Sequence, residues 1–146
     1  MVKPFSLQPV LDLMQMRSDD ATQQLARLIA NERDARSKLA LLQQYRDEYA
    51  TRFRAAAQIG LSPREWHNYQ EFLNRLDEAV DAQRRTVDTQ VAHTATGQAQ
   101  WQQQKKKLKA FDTLADRHMA GQQAVEARNE QKAQDEFAGR RTGDEY

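Results

Sequence analysis

The sequence predicts an all-α protein, an antiparallel two-helix coiled-coil hairpin with a C-terminal helical overhang, and three observations lead there. Apolar residues recur at alternating steps of three and four along most of the 146 residues, the repeat of a coiled-coil seam. Helix formers (Gln, Ala, Leu, Arg and Glu) dominate and β-branched residues are scattered, which favours helix over strand. Only one stretch, QIGLSPREW at 58–66, brings a Gly and a Pro close together, as Gly60 and Pro63. A disordered chain would share the low mean hydropathy of −0.95 but not such regular spacing.

The first helix is read from about residue 7 to 58. Its seam holds Leu7, Leu11, Met14, Ala21, Leu25, Leu28, Ala35, Leu39, Leu42, Tyr49, Phe53 and Ala56, with Ser18, Glu32 and Arg46 as polar interruptions. At 1.5 Å per residue such a helix is roughly 75 Å long. A turn follows at 59–62. Gly60 suits the positive φ that ends a helix, and Ser62-Pro63-Arg64-Glu65 is a capping box with Pro at the first helical position. The second helix then runs from 63 to about 138, antiparallel to the first. Its seam carries Trp66, Tyr69, Leu73, Leu76, Val80, Val87, Trp101, Leu108, Phe111 and Ala115, interleaved with Gln83, Gln90, Thr94, Gly97 and Gln104.

With the turn centred near residue 61, facing residues have numbers adding to about 122. Phe53 then meets Tyr69, Leu25 meets Gly97, and Ala21 meets Trp101. Glu32 meets Gln90 and Ser18 meets Gln104, so polar layers oppose polar layers, as register-fixing positions do. The second helix outruns the first beyond about Ala115. There its seam becomes Gln122, Val125, Asn129 and Lys132, a marginal helix on its own. Residues 139–146 read as a disordered tail, and the whole of 1–146 as a single hairpin.

Composition excludes several functions. The net charge is +1, so bulk charge implies neither nucleic acid nor an anionic membrane as partner. The absence of cysteine removes disulfides and thiolate metal sites. Pro4, Pro9 and Asp12 interrupt the N-terminal apolar stretch, so neither a signal peptide nor a membrane span is read there. His67, His93 and His118 share no ligand spacing, and a two-helix rod offers no catalytic pocket. The expectation is therefore a protein without catalytic residues, metal, cofactor or small-molecule substrate. Lys105, Lys106, Lys107 and Lys109 form a basic run, read as a solvated helix face.

The informative surface lies beside the turn. With Leu39 at a and Leu42 at d, the g edge carries Lys38, Tyr45 and Arg52 on the first helix and Phe72 and Ala79 on the second. Both g edges of an antiparallel pair face the same side. Leu41, Leu42, Tyr49, Leu76 and Gln83 border that flank, while the other flank carries Gln43, Ala50, Gln70, Asp77 and Arg84. A one-sided aromatic patch on a polar rod points to a protein partner; the alternative is that Tyr45 and Phe72 merely broaden the core.

These residues also carry a resemblance. LLQQYRDEY, then the turn, then W-x-N-Y-Q-x-F at 66–72 with Leu76 and Ala79, Trp101 ahead of the lysines, and the late EQKAQDEFA resemble the flagellar FliJ family over nearly the whole chain. The resemblance implies a cytoplasmic component of the flagellar type III export apparatus, peripherally associated with the inner membrane at the flagellar base. It implies a stalk-like coiled coil that binds and stimulates the hexameric export ATPase and links it to the cytoplasmic domain of the export gate. Export chaperones are a further implied partner class. The alternative within the family is a general export chaperone or passive adaptor with no effect on ATP turnover. Carried over residue by residue, the gate-contacting positions are Leu42, Tyr45, Tyr49, Phe72, Leu76 and Ala79. They lie on the flank picked out by the heptads, with Lys38 and Gln83 at its edges.

Overall fold

A computed structural model of the chain describes residues 7–144, and the side chains of 7–140. Two helices account for nearly all of them: α1, Gln8–Ile59, of 52 residues, and α2, Pro63–Asp144, of 82 residues. No strand occurs among the described residues. The predicted hairpin is thus the observed one, packed helix against helix.

The reversal uses the residues that the sequence nominated. Gly60 has φ 116°, and its N–H donates to the Ala56 carbonyl at 3.1 Å, closing α1 as a left-handed cap does. A Cβ at Gly60 would meet nothing within 4 Å, so the demand for glycine there is torsional rather than steric. Across the turn, the Glu65 N–H donates to Ser62 Oγ at 3.2 Å, and Ser62 Oγ donates to Glu65 Oε1 at 3.1 Å. The Trp66 N–H donates to the Ser62 carbonyl at 2.9 Å, the first α-helical bond of α2. Pro63 occupies the position where its missing N–H costs nothing.

The chain divides into two compact units: unit 2, Ala21–Trp101, and unit 1, Met1–Asp20 with Gln102–Tyr146. In unit 2 the register is the predicted one. The Phe53 and Tyr69 rings lie 5.4 Å apart, Thr94 Oγ1 donates to the Leu28 carbonyl at 3.3 Å, and Trp101 Nε1 donates to Thr22 Oγ1 at 3.0 Å. Gly97 gives way to α1: a Cβ there would lie 2.5 Å from Leu28 Cδ1 and 3.8 Å from Leu25 Cδ1. The buried core of this unit is thin, comprising Ala35, Ala50, Leu76, Val80 and Val87. Leu25, Leu28, Leu39, Leu42 and Leu73 stay half-buried, because a single partner helix covers only one side of each.

Glu32 and Gln90 do not pair as the layer argument suggests. Glu32 turns to Arg36, at 3.5 Å, and Gln90 Oε1 is buried without a hydrogen-bond partner among the described residues. The i,i+4 ion pair is within reach of a solvated side chain, whereas the cross-seam pair would bury a carboxylate.

In unit 1, Ser18 is fully buried, Leu108 is buried, and Leu11, Met14, Phe111 and Ala115 are half-buried. Gln104 Oε1 is buried without a hydrogen-bond partner among the described residues. Among the described side chains beyond Ala115, only His118, Gln122 and Glu126 are half-buried, and every residue over 127–140 is exposed. This is the overhang. Val125, assigned to its seam, is 50% exposed. α2 continues to Asp144, through most of the stretch read from sequence as a tail. Gly139 and Gly143 each cost a helix only about 1 kcal/mol, and no proline interrupts the stretch. Residues 145–146 lie outside the described residues.

Candidate partner-binding site

Five rings from the two helices form a chain beside the turn. Phe72 lies 4.5 Å from Tyr49, Tyr49 lies 5.5 Å from Tyr69, Tyr69 lies 5.4 Å from Phe53, and Phe53 lies 4.8 Å from Trp66. All four contacts are tilted, between 41° and 59°, the geometry in which ring edges meet ring faces. The rings alternate between α1 and α2, so each helix supplies the other's packing. Burial in this stack pushes the Tyr49 hydroxyl's pKa above 10, with the neighbouring Tyr69 and Tyr45 adding to the shift and Arg52 opposing it.

The six residues assigned to partner contact all lie in unit 2, where Tyr49 meets Phe72, and they differ in exposure. Tyr45 is 49% exposed; Leu42, Tyr49, Phe72 and Ala79 are half-buried; Leu76 is buried. Leu76 therefore belongs first to the seam. Phe72, expected to stand free on the g edge, leans onto Tyr49, so it serves packing and surface at once. One turn before Tyr45, Leu41 is 67% exposed. It borders the flank in sequence but offers more open apolar surface than any of the six.

The other flank is polar for a definite reason. Arg46 sits at a seam position, and its guanidinium leaves the seam to donate from Nε to Asp77 Oδ1 at 2.7 Å and from Nη1 to Asp47 Oδ1 at 3.4 Å. The bond to Asp77 raises the Arg46 pKa further above its ordinary value. Arg84 and Asp81 lie 3.7 Å apart on the same side. One flank is thus closed by charge pairs while the other is left apolar.

Sequence reasoning passed over Ile59, which is 90% exposed. It continues the g edge one heptad beyond Arg52, and that step was the signal available. Among the described residues, no three His, Cys, Asp or Glu side chains gather where a metal could be held, and no helix is long and apolar enough to cross a membrane.

A helical hairpin that fills its seam with rings and lets the surplus break surface on one side is a coiled-coil interaction protein. The chain belongs to the FliJ family: the family described as "Flagellar FliJ protein" matches residues 3–145. It is 30% identical to the flagellar FliJ protein of Salmonella typhi over 135 residues, covering 92% of each chain. It is 27% identical to the flagellar FliJ protein of Escherichia coli strain K12 over 135 residues, again 92% of each. The resemblance drawn from LLQQYRDEY and the motifs after it is borne out, and the family makes the chain a component of flagellar export.

Proposed function

We propose that this protein works by binding alone, as a stalk-like regulator that engages the hexameric flagellar export ATPase through unit 1 and the cytoplasmic domain of the export gate through the aromatic flank of unit 2. It acts in the cytoplasm, peripherally associated with the inner membrane at the flagellar base. The observation that carries the reading is the exposed pair Leu41 and Tyr45 beside the Tyr49–Phe72 stack, in a chain of the FliJ family. Exposed apolar side chains backed by a rigid ring stack have the character of interface hot spots: they lose little conformational freedom on binding. Leu42, Tyr49, Phe72, Leu76 and Ala79 support this surface from behind or at its rim. The exposed stretch over 127–140 supports the assignment of unit 1 to a second partner, since a helix without tertiary packing is marginal in water.

The deciding experiment is ATP turnover by the cognate export ATPase with sub-stoichiometric amounts of this protein, for the full chain and for a chain ending at Ala120. Stimulation by the full chain and not by the truncated one supports the stalk reading, provided both still bind the gate domain. Equal turnover with and without the full chain would leave the passive adaptor or general export chaperone, which needs only the apolar flank.

A further inference from the structure

The turn of unit 2 ends in apolar side chains that are only partly covered: one face of Trp66 packs on Phe53, at 4.8 Å, and the rest is open. Ile59 is 90% exposed, Trp66 is 45% exposed and Leu61 is half-buried, with open space around Gly60 between them. Because α1 and α2 reverse over residues 60–62, this apolar point is convex. It offers no groove for a partner helix to lie in. A convex point rich in Trp, Ile and Leu is matched by a surface that yields and closes around it.

Charge narrows the occupant. Residues 51–67 carry three arginines, Arg52, Arg54 and Arg64, against one carboxylate, Glu65, in a chain whose net charge is only +1. Glu65 is committed to the capping box with Ser62. None of the three arginines forms an ion pair among the described residues. The residues of the tip therefore carry a local excess of positive charge beside an apolar point, with Arg54 Nε also donating to the Ala50 carbonyl at 3.4 Å.

We propose that this tip is a peripheral membrane contact: Trp66, Ile59 and Leu61 enter the headgroup layer of an anionic bilayer, and Arg52, Arg54 and Arg64 hold its phosphates. An indole with an apolar body and an N–H suits that layer. Each basic residue near an anionic surface strengthens binding about fivefold. One small apolar point with three basic residues gives reversible association, so the tip acts as one of the two signals that stable anchoring takes. The proposal uses none of the six flank residues, and its decisive variants, at Ile59 and Arg64, lie outside them.

The test uses the full chain and vesicles of phosphatidylglycerol mixed with phosphatidylcholine. The protein has two tryptophans, so Trp101→Phe leaves Trp66 as the only indole and Trp66→Phe leaves Trp101 beside Lys105, Lys106 and Lys107. Anionic vesicles at low salt should move Trp66 emission to the blue; added salt should reverse the shift, and pure phosphatidylcholine should not produce it. Ile59→Glu should keep the parent's melting temperature, because that side chain touches little, and weaken vesicle binding about tenfold or more. Arg64→Gln should weaken it about fivefold. The proposal is overturned by an unmoved Trp66 emission, which would leave the tip to a protein socket. It is equally overturned by a shift seen only through Trp101, which would move the contact to the lysines, or by Ile59→Glu binding as tightly as the parent.

Discussion

Between Tyr49 and Trp66 the seam of unit 2 is filled by rings, whereas between Leu28 and Gly97 there is no room for a methyl group unless Leu28 moves. In the first stretch, centroids lie 4.5 to 5.5 Å apart across the helices, and the ring volume exceeds what one partner helix can cover. In the second, small and polar side chains bond directly to the opposite backbone. Gln83 Nε2 donates to the Ala35 carbonyl at 3.0 Å and Thr94 Oγ1 to the Leu28 carbonyl at 3.3 Å, while Leu28 occupies the space that Gly97 leaves. The Gln83 bond works in one register only, since a shift along the helix would strand the donor, whereas Thr94 Oγ1 shares its proton with the Gln90 carbonyl of its own helix at 3.0 Å. The ring-filled stretch supplies stability and a surplus of apolar surface. The polar stretch specifies alignment and leaves little to offer a partner.

The sharpest way to break this comparison is inside the ring-filled stretch. Leu76→Ala removes a buried side chain and should destabilise the hairpin by about 2–5 kcal/mol. Leu41→Ala removes the same atoms from a side chain that is 67% exposed and should leave the melting temperature nearly unchanged. Thermal melts of the two variants decide whether depth in the seam, rather than apolar character, is what stabilises here. Equal losses would mean that the flank is core and has no surplus.

The next effect separates stability from binding. Tyr45→Ala should weaken binding to the gate domain by roughly 2 kcal/mol, about thirtyfold, with little change in melting temperature because Tyr45 is 49% exposed. Titration of the gate domain with parent and variant measures this directly. A melting loss as large as that of Leu76→Ala would assign Tyr45 to packing. Unchanged affinity would remove the flank as the docking surface.

In the polar stretch the expected sign is opposite. Gln90 Oε1 is buried with no hydrogen-bond partner among the described residues, and a buried acceptor left unsatisfied is a liability. Gln90→Leu should therefore raise stability by about 1 kcal/mol, at the expense of register specificity. A rise in melting temperature checks it. A fall would show that the amide contributes more by bonding than leucine does by burial.

Much of this contrast was legible in the sequence, and the parts that were not have physical reasons. Heptad spacing is a statement about Cα positions, so it placed Phe53 opposite Tyr69 and Leu25 opposite Gly97, and GLSPRE carried the turn in its own local chemistry. Spacing says less about where a long or planar side chain ends. Arg46 occupies the seam by position, yet its guanidinium reaches out to Asp77, because a flexible stem lets the charge find a carboxylate outside the apolar layer. Phe72 occupies the edge by position, yet its ring folds inward onto Tyr49. The polar layer at Glu32 and Gln90 was placed correctly as a layer. It was not readable as a bond, since Glu32 had Arg36 one turn away on its own helix.

The smallest effect probes the ring stack through Tyr49. Burial is the main cause of the raised Tyr49 pKa, with Tyr69 and Tyr45 adding to it and Arg52 acting against it. The sign follows from the two states. In the unfolded chain this hydroxyl ionises near pH 10, whereas in the fold it holds its proton to higher pH. The folded value exceeds the unfolded one, so the contribution to stability is fully present below about pH 10 and is lost as pH rises through the folded value. Melting temperatures followed from pH 8 upward should therefore fall more steeply above about pH 10 for the parent than for Tyr49→Phe, which keeps the ring and removes the proton. Phe72→Ala supplies the second arm. Uncovering Tyr49 should bring its titration back toward pH 10, observed by ultraviolet absorbance of the phenolate, and should lower stability at every pH. If Tyr49→Phe tracks the parent through the alkaline range, the stack does not exclude water from the hydroxyl, and the half-buried flank is wetter than its ring contacts imply.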